Sequence, residues 1–214
     1  MRRRPLTLGV ILVCGIIGFA TNMGLDWNSP WLGKLLFRSP TGASESETMT
    51  ASDKLADIRR GEFWRILTPA FVHFGAMHLA FNVVMFYQLG VQIEHFRGRA
   101  RFAALILTIA VVSNLAQALA PEWLGGAVYF AGLSGVVFGL FGYVWMKSRF
   151  EPALGLYINP SNVMFSLVFL VLGFAGAFNT AHTAIANLAH GFGFATGLLI
   201  GIAPFALRQV SRDS

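Results

Sequence analysis

Charge is scarce in these 214 residues. Only 12% are Asp, Glu, Lys or Arg, about half the share of an ordinary soluble domain. Acids are fewest, ten against sixteen basic residues, for a net charge of +6. With 55% hydrophobic residues and a mean hydropathy of +0.61, the chain reads as an integral membrane protein. Cysteine is rarer still. The single Cys14 lies in an apolar run, which excludes an internal disulfide and any multi-cysteine metal site. Alternating apolar and polar residues are also missing, so strands are not expected. His-Glu-x-x-His is absent, and His73 and His78, five apart, do not fit a two-histidine zinc helix. No metal or soluble cofactor is expected. The basic residues are scattered between the apolar runs, which argues against nucleic acid as a partner.

What remains is a set of apolar stretches. Crossing a bilayer as a helix takes roughly 20 mostly apolar residues. Six stretches qualify, at about 6–25, 76–95, 101–120, 128–147, 161–178 and 183–204. The expected architecture is therefore all-α, a single domain over residues 1–214. The first stretch follows Met-Arg-Arg-Arg, as a signal peptide would, but no Ala-x-Ala site comes after it and its core is long. It is read as a retained helix.

Basic residues orient the bundle. Arg2, Arg3, Arg4, Arg97, Arg99, Arg101, Lys147, Arg149, Arg208 and Arg212 fall on one side if six helices alternate. The short loops of the other side, near 121–127 and 179–182, hold no Lys or Arg. The positive-inside rule then makes both termini cytoplasmic. Such a chain suits a bacterial inner membrane. The loop at about 26–75 is the one long extramembrane piece. Its middle, Ser39 to Ser52, is polar and is expected to be mobile. Its flanks carry two apolar stripes, Trp27, Trp31, Leu32, Leu35 and Leu36, then Phe63, Ile66, Leu67, Ala70 and Phe71. These predict a partly helical loop lying in the outer interface.

Polar side chains converge in the outer half of the bundle. Ser134 stands between glycines near the outer end of the fourth stretch. His190 lies about seven residues into the sixth, roughly 10 Å deep at 1.5 Å per residue. His78 and Asn82 share one face near the outer end of the second. Gly193, Gly197 and Gly201 follow His190 on one helical face, and Gly135 and Gly139 give the fourth stretch a matching strip. Small residues at this spacing let membrane helices meet backbone to backbone, which would bring imidazole to hydroxyl. A serine nucleophile needs such a base. Its tetrahedral intermediate needs donors, which Asn82, His78 and the Ser134 N–H could supply. No carboxylate lies in the outer half of any stretch, so the constellation is a dyad. Phe138, one turn after Ser134, is placed to stack on the imidazole.

These residues resemble the rhomboid family of intramembrane serine proteases over most of residues 61–201. The segment Gly61-Glu62-Phe63-Trp64-Arg65-Ile66-Leu67-Thr68-Pro69 is similar to the family's Trp-Arg motif. His73 with His78-Leu79-Ala80-Phe81-Asn82 is similar to its second-helix pattern. Gly132-Leu133-Ser134-Gly135 resembles its nucleophile motif, and Ala189-His190 with Gly193 and Gly197 its sixth-helix pattern. The resemblance implies a six-helix bundle with a Ser134–His190 dyad in a water-filled cavity that opens outward, and His78 and Asn82 at the oxyanion hole. It implies gating by the fifth helix and the loop after it. Substrates would be single-span membrane proteins within the lipid bilayer, cut near their outer end after a small residue. Phe138 stands where the family often has tyrosine, so the ring is kept and the hydroxyl lost. Two other readings use the same polar residues: a catalytically silent relative that binds membrane segments, and a small transporter with His78, Asn82 and His190 along its path.

Overall fold

The computed structural model describes residues 4–40, 53–178 and 185–213, with backbone alone for the last six. Arg2, Arg3, most of the Ser39–Ser52 stretch and the whole loop at 179–182 lie outside the described residues. Among those described there is no strand. The apolar helices are α1 (Pro5–Ala20), α2 (Ala76–Arg97), α3 (Arg99–Leu119), α4 (Ser134–Phe150), α5 (Pro160–Phe174) and α6 (Asn187–Asp213). Three of these regions, α2, α3 and Asn187–Leu207 of α6, are long and apolar enough to cross a membrane, while α1 and α5 are shorter apolar helices.

Several boundaries differ from the sequence expectation, for local reasons. α1 stops at Ala20 because Asn22 and Met23 take positive φ values of 47° and 55°. α5 starts with Pro160 in the first turn, its Asn159 side chain accepting the Ser161 N–H at 2.9 Å. It gives way to a turn at 175–178. α6 runs on to Asp213, past the expected 204, and α4 begins at Ser134 and not near 128. The second apolar stripe of the long loop forms two 3-10 turns, Phe63–Ile66 and Thr68–Phe71, and no α-helix, with Pro69 breaking the pattern. The first stripe is split. Leu32 and Leu36 are buried while Trp27 and Trp31 face outward.

α4 is the axis of the bundle. Every residue from Gly135 to Val144 is buried, so it is covered on all sides and shows no polar face. It packs most extensively on α6, and α6 also packs on α3. The contact with α6 is a glycine seam. A Cβ on Gly193 would lie 2.1 Å from the Gly135 carbonyl oxygen, and one on Gly197 would lie 1.8 Å from that of Gly139. Only hydrogen fits there.

Polar ties hold the remaining pieces. The Glu94 carboxylate, at the end of α2, accepts the Leu6 and Thr7 amides at 3.1 and 2.9 Å and the Thr7 hydroxyl at 2.7 Å. It thereby caps the first turn of α1, where helix amides lack intrahelical acceptors. In the long loop the buried Arg65 donates to the Gly33 and Leu36 carbonyls, both at 2.7 Å, and pairs with Glu62. The guanidinium so caps the carboxyl end of the short Pro30–Leu35 helix. Trp64 donates to the Lys34 carbonyl at 3.0 Å, and Asn114 of α3 donates to that of Ile66 at 2.8 Å.

Candidate active site

The site is built from an irregular approach segment and three helix ends. After α3, the chain is fastened by the Ala127 amide, which donates to the Gln117 carbonyl at 2.9 Å. It then runs irregularly to Leu133. The Gly132 amide donates to the Pro69 carbonyl at 3.0 Å, and Gly132 holds φ at 126°, a value that L side chains rarely adopt. A Cβ there would also lie 2.8 Å from the His78 ring and 3.5 Å from the Ser134 hydroxyl. This brings His78 beside Ser134 and explains why residues 128–133 are not helical.

His73 closes the turn. Its Nε2 accepts the Leu133 amide at 3.3 Å, capping α4. The amides of Ser134, Gly135 and Val136 are the remaining first-turn donors without an intrahelical acceptor. His73 is fully buried. Burial first, and then the neighbouring His78, pulls its pKa down to about 4, against an opposing pull from the Phe71 backbone. The ring is neutral at pH 7, with its proton on Nδ1. In an unfolded chain it would titrate near 6.5. The unfolded chain therefore binds more protons between these values. The stabilisation is complete above about pH 6.5 and is lost as pH falls towards about 4. The thermal midpoint in neutral detergent is expected to drop between pH 7 and pH 5, with a shallower drop in His73→Asn. Parallel curves for the two proteins would remove His73 as the source.

The Ser134 hydroxyl and His190 Nε2 lie 2.8 Å apart. Ser134 is the first residue of α4 and His190 the fourth of α6, so both stand in first turns. His190 is shallower than the sequence expectation of seven residues in, because residues 185–186 precede the helix in irregular backbone. Phe138 stacks on the imidazole at a centroid distance of 4.8 Å, and Phe169 of α5 approaches it at 6.4 Å. The His190 side chain is 5% exposed. His78 stacks edge-on with His73 at 5.1 Å. Asn82 is buried, and its amide donates one hydrogen bond, at 2.9 Å, to the His78 carbonyl. Its second N–H is left for another acceptor.

Other expected residues act at a distance. Trp64 and Arg65 do not reach the serine. They fix the loop whose Pro69 carbonyl holds Gly132. Gly135, Gly193 and Gly197 form the seam that sets the separation of α4 and α6. Reading the sequence by motif overlooks Gln117, whose side-chain oxygen accepts the Ala189 amide at 3.2 Å while its NH₂ donates to the Gly125 carbonyl at 2.8 Å. It also overlooks Asn114 and Phe169. For Gln117 and Asn114 a signal existed: buried polar side chains within a hydrocarbon-length run.

Residues 60–206 match the Rhomboid domain family. The chain belongs to the rhomboid family. It is 39% identical over 137 residues to Rhomboid protease GlpG of Klebsiella pneumoniae, covering 64% of this chain and 47% of that protein. It is 38% identical over 145 residues to Rhomboid protease GlpG of Pectobacterium atrosepticum, covering 68% and 50%. The chain thus spans about half the length of the curated relatives it matches. The matched rhomboid region contains α2 to α5 and α6 through Ala206, together with the Trp64–Pro69 part of the long loop. α1 precedes it.

Proposed function

We propose that this rhomboid is an intramembrane serine endopeptidase with Ser134 as nucleophile and His190 as its base. The observation that carries this reading is the 2.8 Å approach of hydroxyl to imidazole nitrogen between two helix ends. Ser134 Oγ forms a bond to the scissile carbonyl carbon while its proton passes to His190 Nε2. That proton then leaves with the departing amine, and water repeats the sequence to release the acyl group. The developing oxyanion is met by the Ser134 N–H, the second Asn82 N–H and His78. Phe138 holds the imidazole plane in place of an orienting carboxylate.

The bundle is read as six spans with both termini cytoplasmic, from the basic residues on one side. Ser134 and His190 then lie beneath the outer surface. Substrates are single-span membrane proteins, admitted past α5 and the loop after it, and cut near the outer end of their span after a small residue. A helical substrate must unwind first, so helix-weakening residues below the cut favour cleavage.

A fluorophosphonate probe on the purified protein tests the reading. One adduct per chain, mapped to Ser134, is expected; an adduct elsewhere, or none, would sink it and leave a silent membrane-segment binder. For Asn82→Ala, kcat for a single-span reporter is expected to fall about 10²-fold with little change in KM, because the donor acts on the transition state. An unchanged kcat would take Asn82 out of the oxyanion hole.

A further inference from the structure

The end of the bundle opposite Ser134 holds a second feature that the dyad does not use. Between the carboxyl-terminal turns of α2 and α4, the first turns of α3 and the Ile200–Pro204 turn of α6 lies a cleft of about 270 Å³. Its rim is cationic: Arg97, Arg101 and Lys147 all line it, with Tyr143 between them. Its wall is apolar, from Ile93, Leu105 and Ile200.

Two of these three charges, Arg97 and Arg101, have no carboxylate partner among the described residues, whereas the third has one. Lys147 is matched by Glu151 at 3.1 Å and stands 5.8 Å from the Tyr143 ring. The Glu94 carboxylate faces α1 and, at 4.0 Å, Arg99. The Arg97 guanidinium lies near the Tyr143 hydroxyl. Its Nε is nevertheless buried with no acceptor among the described residues. A guanidinium N–H in that state carries an unrecovered desolvation cost. No carboxylate lies within 4 Å of Arg97 or of the exposed Arg101 among the described residues. Two guanidinium groups around one small cleft fit the oxygens of a phosphate.

The wall decides which phosphate. Arg101, Ala104, Leu105 and Thr108 of α3 carry the lining seven residue steps, roughly 10 Å, from the rim along the helix. A free phosphate would use only the rim. We propose that this cleft binds the phosphate of an anionic phospholipid, whose glycerol and first acyl carbons lie along the apolar wall. The volume suits a headgroup and not a whole lipid, so the chains continue outside the cleft. Basic pockets between membrane helices take anionic headgroups in this manner.

The test uses the full chain in neutral maltoside detergent. Phosphatidylglycerol and phosphatidylcholine with matched acyl chains are titrated and read by native mass spectrometry. Phosphatidylglycerol is expected to bind about tenfold more tightly, and the preference should vanish in Arg97→Gln/Arg101→Gln and survive in Arg97→Lys/Arg101→Lys. Equal binding of the two lipids, or a preference that persists in the glutamine variant, overturns the proposal. Inorganic phosphate is the third arm. If it alone raises the thermal midpoint as much as phosphatidylglycerol does, the site belongs to a free anion and the lipid assignment fails. Should the double variant not fold, Arg101→Gln alone, at an exposed position, is expected to cut the preference at least threefold; no change counts against the site. None of these readouts involves peptide cleavage, so they stand apart from the proposed protease activity.

Discussion

His190→Ala is expected to lower cleavage of a single-span reporter by at least ~10³-fold and to suppress fluorophosphonate labelling of Ser134 to the same degree. A serine hydroxyl is a weak nucleophile at its own pKa, and here the imidazole at 2.8 Å is its one hydrogen-bonded base. Among the described residues no carboxylate contacts His190. The rings of Phe138 and Phe169 do the orienting instead. Loss of the imidazole therefore removes proton transfer entirely, while the backbone donors at the start of α4 remain. Ser134→Ala should match it in cleavage. The double variant should be no worse than either single one, because groups that work as a unit lose their effect together. Losses that multiply in the double variant would show that the two residues act separately.

Gly197→Ala is expected to be nearly as damaging, although the residue lies two turns from the imidazole. Its Cβ would sit 1.8 Å from the Gly139 carbonyl oxygen, backbone against backbone, where no side chain can turn aside. α4 and α6 must then separate by an ångström or more. Misplacement of that size between nucleophile and base costs roughly 10²-fold in rate. Overpacking of this kind typically adds 1–3 kcal/mol of destabilisation. The molecule contains its own control. Gly9 on α1 has nothing within 4 Å of an added Cβ, so Gly9→Ala should leave the thermal midpoint and the rate unchanged or slightly raise stability. If Gly197→Ala behaved like Gly9→Ala in both measurements, the seam would not be setting the Ser134–His190 distance.

The seam was legible because its signal is local: glycines at helical offsets on two apolar runs, one holding a serine and the other a histidine. So were Phe138 over the imidazole and the placing of His78 near Ser134. The start of α4 was not legible. Apolar residues 128–133 look helical by composition, and what denies them a helix is a hydrogen bond from Gly132 to Pro69, 63 residues earlier. The long-range polar ties escaped for the same reason. Gln117 and Ala189 are 72 residues apart, and Asn114 and Ile66 are 48 apart, so no periodicity joins them. Trp64 and Arg65 were found by resemblance, which named no contact for them. They brace the loop that carries Pro69 and do not line the site.

The capping of α1 by Glu94 has a practical corollary. Three donors from residues 6 and 7 satisfy a carboxylate that is only 5% exposed. A chain trimmed to the family-matched region would keep that acid and lose every one of them, with Arg99 at 4.0 Å the one counter-charge left nearby among the described residues. The amino-terminal helix thus supplies the donors that the buried end of α2 requires. Fusions, tags and truncations made for expression must preserve Leu6 and Thr7, or replace Glu94 along with them.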